Sequence, residues 1–91
     1  MLTGAPRSWS RCRACAPPAA VLRLRLLARV EWQAAAVFDV MADEVPGAEL
    51  AAALRARAER ARHRAVRAAV DAGRLARRHA AATVPTRRGR G

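Results

Sequence analysis

From Ala51 onward the chain sets a small or apolar residue at alternating steps of three and four: Ala51, Leu54, Ala58, Ala61, Ala65, Ala68, Ala72, Leu75, His79 and Ala82. That heptad-like rhythm holds one face of a helix in register, as in a coiled-coil seam. The surrounding stretch, residues 48–82, is almost all Ala and Arg and contains no proline. Both residues are strong helix formers. The pattern predicts one long helix, about 50 Å if unbroken, too long to be covered by the rest of the chain. Gly73 is the expected point for a kink or stop, because Gly costs about 1 kcal/mol relative to Ala inside a helix. Small seam residues allow close approach of two backbones but bury little apolar area each. A second row, Leu50, Leu54, Val66 and Val70, widens the face only at intervals.

Residues 19–45 carry a different pattern. Val21 to Leu26 alternates apolar with Arg and admits a short strand. Beyond it, Leu26, Leu27, Val30, Ala34, Val37, Phe38, Met41 and Val45 fall on one stripe of a helix. The favoured reading is a helix from Ala19 or Ala20 to about Glu44. The stripe, chiefly Leu26, Val30, Val37, Phe38 and Met41, is expected to pack against Leu50, Leu54, Ala58, Ala61, Ala65, Ala68, Ala72 and Leu75. Pro46-Gly47 separates the two stretches: Pro disfavours helix at Val45, and Gly frees the backbone. Pro46 also suits the first position of the following helix, with Glu49 in its first turn. The expected fold is all-α, a two-helix antiparallel hairpin over about 19–44 and 47–82. Residues 1–18 and 83–91 are expected to be disordered basic tails.

Composition narrows this further. Ninety-one residues allow one small domain. Alanine supplies 25 of the apolar residues, so the core is thin and a partner would help it. The net charge is +11, carried by Arg alone. Lys, Ile, Asn and Tyr, whose codons are AT-rich, are absent. A GC-rich gene accounts for that bias by itself, so Arg was not necessarily selected over Lys for its geometry. GC-rich DNA read in an arbitrary frame yields similar Ala/Arg-rich chains, and an open reading frame with no defined function is one alternative. The charge is blocked: +6 over residues 1–30, −5 over 31–49 and +10 over 50–91. In an antiparallel hairpin the acidic block should pair internally. Asp39, Asp43 and Glu44 are expected near Arg55 and Arg57, and Glu31 near residues 60–64. Local pairs are expected from Glu59 to Arg55, Arg62 or His63, and from Asp71 to Arg67 or Arg74.

Candidate chemistry is sparse. Cys12 and Cys15 form one CxxC, half of a structural zinc site, with His63 and His79 too far apart in sequence to complete it. Ser8 and Ser10 have no neighbouring base, and no phosphate loop, dinucleotide fingerprint or HExxH occurs. The expectation is a protein that is not an enzyme and holds no metal or cofactor. The basic surface offers Arg55, Arg57, Arg60, Arg62, Arg64, Arg67, Arg74, Arg77 and Arg78, joined by Arg87, Arg88 and Arg90 at the end of the chain. These suit sequence-independent phosphate neutralisation on DNA or RNA. The helix faces also suit assembly, either with a second copy or with an acidic protein partner. No stretch approaches the roughly 18 apolar residues of a membrane span. The acid-free, Arg-rich first 30 residues resemble a mitochondrial import signal in composition. The sequence leaves the location open: cytoplasmic if the source is bacterial, with mitochondrial import one alternative if it is eukaryotic.

Overall fold

A computed structural model describes residues 16–83, and the chain over that span is a two-helix antiparallel hairpin. Helix α1 runs Ala19–Glu44 and helix α2 runs Ala48–Thr83. Among the described residues there is no strand, so the Val21–Leu26 alternation is helical. Arg87, Arg88, Arg90, Cys12 and Cys15 lie outside the described residues, as do most of the two expected tails.

Local chemistry sets the ends. Pro18 precedes α1 with φ −66° and ψ 156°, and its carbonyl accepts from the backbone N–H of Val21 at 2.9 Å. Val45 leaves the helix for the extended region, φ −82° and ψ 146°, as the residue before a proline prefers. Its N–H still donates to the Met41 carbonyl at 3.1 Å. Gly47 sits at φ 102°, a left-handed conformation that only Gly adopts cheaply. Its carbonyl accepts from Ala51 N–H and opens α2. Pro46 thus belongs to the turn and is not the first residue of the second helix. Glu49 does fall in the first turn of α2, where it meets the positive end of the helix dipole. Gly73 interrupts nothing: α2 is continuous through it to Thr83.

The interior is built mostly of alanine. On α2 the buried residues are Ala51, Leu54, Ala58, Ala61, Ala65, Ala68 and Ala72, with Leu75 and His79 half-buried beyond them. On α1 they are Val21, Ala28, Ala35 and Ala42, seven residues apart, with Leu24, Glu31 and Phe38 half-buried between them and Val45 half-buried just past the helix end. Both helices therefore turn the same three-four rhythm inward. Cover for α2 extends to His79 and leaves only its last turn bare, so α2 is not too long for its partner.

The expected stripe on the first helix needs correction. Leu26 is 59% exposed, Val37 55%, Val30 49% and Met41 42%, so none of them belongs to the buried core. Leu50 is likewise exposed. Two members of the stripe pack inward: Phe38 against Ala35, Ala58 and Ala61 on one side and Ala42, Ala51 and Leu54 on the other, and Val45 against the second of these groups. The physical reason is the partner's face. A seam of alanines lets two backbones come close only if the facing helix also offers small groups. A Leu at position 28, 35 or 42 would hold the helices apart and forfeit the dispersion contacts of the rest. Close packing with α2 therefore selects the alanines of α1 and turns its larger side chains outward.

Candidate nucleic-acid interface

The arginines of α2 divide into flanks. Arg57, Arg60, Arg64, Arg67, Arg74 and Arg78 follow the same three-four spacing as the seam, offset by one flank, with Asp71 in the only acidic place. They form a ribbon along one side of the helix, about 32 Å from end to end. Arg55 and Arg62 lie on the other flank, and Arg77 points away from the seam. The expectation named these arginines as a block. Six of them share one side of the helix, a spacing present in the sequence.

Acid partners hold four arginine contacts near the turn. Arg55 donates to Asp43 at 2.9 Å. Arg62 donates to Asp39 at 2.8 Å and to Glu59 at 2.8 Å, bridging α1 and its own helix. Arg64 donates through Nε to Glu31 at 3.0 Å. The pairings of Asp43 with Arg55 and of Glu31 with the 60–64 zone fall where expected. Asp39 sits about two turns further along α2 than expected and meets Arg62 rather than Arg55 or Arg57. Arg57 instead lies over the Phe38 ring, 5.9 Å from its centroid, where the quadrupole of the ring favours a cation. His63 approaches Glu59 at 3.6 Å. Asp71 enters no ion pair among the described residues.

The charge is polarised by these contacts. Residues 31–65, the turn half, hold six acids and five arginines and are close to neutral. The open half, residues 16–30 with 66–83, holds Arg23, Arg25, Arg29, Arg67, Arg74, Arg77 and Arg78 against Asp71 alone. Among the described residues none of these seven arginines makes an ion pair. Packing seven like charges onto one end of a small hairpin costs Coulomb energy that counter-ions must relieve.

Two surface features adjoin the ribbon. A shallow recess of about 200 Å³ is lined by Phe38, Arg57, Arg60 and Arg64. A longer groove of about 670 Å³ runs past Trp32, Val66 and Val70 and is edged by Arg62, His63, Arg67 and Arg74 together with the acids Glu59 and Asp71. Trp32 is 47% exposed there, an aromatic face beside cations. At the open end Pro17, Pro18, Arg25 and His79 line a further cleft, and His79 Nε2 has no hydrogen-bond partner among the described residues. Within the network Arg62 hydrogen-bonds to Glu59 and holds its carboxyl below the usual carboxylate range, with Coulomb attraction from the same guanidinium adding to the effect.

Among the described residues no three His, Cys, Asp or Glu side chains gather as a metal site would require. No described helix is long and apolar enough to cross a membrane. Compared with protein-family models, curated proteins and solved structures, the chain matches none of them.

Proposed function

We propose that this protein is a binding module, not an enzyme, and that it associates with nucleic acid without sequence preference through the arginine ribbon and the cationic open end of the hairpin. The observation that carries the reading is the spacing of Arg57, Arg60, Arg64, Arg67, Arg74 and Arg78 on one side of a single rigid helix, interrupted only by Asp71. A straight ribbon about 32 Å long follows a phosphate backbone over several nucleotides, each strand advancing roughly 3.4 Å per phosphate. Affinity would come from counter-ion release and not from base contacts. The turn half is neutralised by its own acids, so phosphates would gather at the Arg67–Arg78 end. Trp32, in a groove lined by Arg62, Arg67 and Arg74 as well as Glu59 and Asp71, offers a face on which an unpaired base could stack, which favours single strands over duplex.

The test is fluorescence anisotropy of a labelled oligonucleotide titrated with the full chain across salt. Log K should fall linearly with log salt. Replacing Arg67, Arg74 and Arg78 together by Gln should flatten that slope by about 2 to 3, at 0.7 to 0.9 per lost phosphate contact. Replacing Arg55, which Asp43 already neutralises, should leave the slope nearly unchanged. An affinity indifferent to salt, or a slope that follows Arg87, Arg88 and Arg90 alone, rejects the ribbon.

A further inference from the structure

The apolar face of α1 that points away from α2 has no cover within the hairpin. Leu26, Leu27, Val30, Val37, Val40 and Met41 are each between 42% and 59% exposed. At about half exposure apiece, six such side chains present a contiguous patch on the order of 500 Å². That is at the upper end of what a lone small domain shows, and with its rim it nears the roughly 800 Å² per partner of a standard interface.

The patch is also a palindrome. About a centre between Gln33 and Ala34, Val30 mirrors Val37, Leu27 mirrors Val40 and Leu26 mirrors Met41. The next positions outward on the same stripe are Arg23 and Glu44. These two residues lie 21 apart on one helix, and neither enters an ion pair among the described residues.

We infer that this face pairs with the same face of a second copy, the two α1 helices running antiparallel about a two-fold axis at Gln33–Ala34. A two-fold interface must be self-complementary, each patch meeting itself reversed. This face meets that condition in shape class and in charge. Bulky groups lie opposite bulky groups, and Arg23 of each copy lies opposite Glu44 of the other. A parallel pairing would set Arg23 on Arg23 and Glu44 on Glu44. The antiparallel one also sends the two cationic open ends to opposite ends of the assembly, where they repel least. The arginine ribbons, on α2, stay outside this contact. An anionic membrane surface is a poorer fit to the face, because Asp43 and Glu44 flank its turn end.

The experiment is sedimentation equilibrium of the reduced, nucleic-acid-free full chain over the micromolar range, with circular dichroism on the same samples. The expected result is a mass twice 9.8 kDa. Val30→Glu with Val37→Glu should give a helical monomer, since both residues face solvent in the isolated hairpin. Arg23→Glu alone, or Glu44→Arg alone, should weaken the dimer about tenfold, and the combined swap should restore it. A wild-type chain that stays monomeric and helical across the range overturns the inference, whether or not it binds anionic vesicles. So does a dimer that survives the Val30/Val37 change, because association would then run through another face. Recovery in the charge swap identifies the antiparallel register; failure of the swap to recover overturns it.

Discussion

The two helices share an interior and differ in exterior. Both turn alanines inward at the same spacing, yet α1 carries Leu, Val and Met on its outer face while α2 carries Arg. In this molecule apolar character therefore does not mark the inside. Fit marks it: the seam accepts what lets two backbones approach, and the rest goes outward whatever its polarity. The exteriors then differ in kind, one apolar and the other cationic.

The comparison breaks most sharply at the seam. Ala61 is fully buried between the helices, and Ala61→Leu should force them apart. The expected loss is about 1–3 kcal/mol, a fall in Tm of some 4–8 °C per kcal/mol for a domain of this size. Thermal denaturation followed by circular dichroism measures it. Stabilisation would mean that the seam is loose and that hydrophobic content, not fit, decides what is inside.

A matched pair of leucines tests the other half of the contrast. Leu54 is 9% exposed and Leu26 is 59% exposed. Leu54→Ala should cost about 2–3 kcal/mol through lost burial and a cavity. Leu26→Ala should change the stability of the monomer by no more than about 0.5 kcal/mol, as surface changes do. Urea unfolding at protein concentrations too low for association compares the two. Equal losses would return Leu26 to the core of the hairpin.

The long α2 seam was legible because Ala and Arg differ so much in size and charge that one face stands out at every turn. The hairpin followed from that seam, the proline-glycine turn and the charge blocks, and so did the pairing of Asp43 and Glu31 with their arginines. The α1 seam was missed for a physical reason. Hydrophobicity ranks Leu26 and Val37 above Ala28 and Ala35, but the constraint at this interface is distance, which no single residue reports. It was recoverable from α2: a partner made of alanine demands alanine in return, and Val21, Ala28, Ala35 and Ala42 stand at the required interval. The ribbon was visible only after the seam fixed which flank each arginine takes. Asp39 paired with Arg62 because it stands one turn before Asp43 on the same flank, so in an antiparallel pair it meets the next arginine of that flank beyond Arg55.

The two glycines give a smaller, opposed pair of effects. Gly47 holds φ 102° in the turn with open space around it, so Gly47→Ala meets no clash but pays the backbone strain, about 1–2 kcal/mol. Gly73 is helical, and a methyl there would meet only the end of the flexible Arg77 side chain at 3.4 Å. Gly73→Ala should therefore stabilise, by up to about 1 kcal/mol. A gain at position 47 or a loss at position 73, read from urea midpoints, would contradict the backbone geometry that joins and continues the helices.

The smallest effect concerns the charge that ties the exteriors together. Among the described residues Arg62 is the one guanidinium bonded both to α1, through Asp39, and to α2, through Glu59. It holds the Glu59 carboxyl below its ordinary range. A carboxylate with a depressed folded-state pKa contributes stability above its unfolded pKa and loses it as pH falls through the folded value. The sign is therefore fixed: stability should stay level from neutral pH down to the ordinary carboxylate range and decline below it. Glu59 is solvent-exposed, so the contribution is small and screened, and raising the salt should shrink it further. Melting temperatures of the native chain and of Glu59→Gln, measured against pH at low salt, isolate the effect. The variant should show a shallower acid decline. A variant that declines as steeply would show that the Glu59–Arg62 contact contributes nothing to the acid dependence.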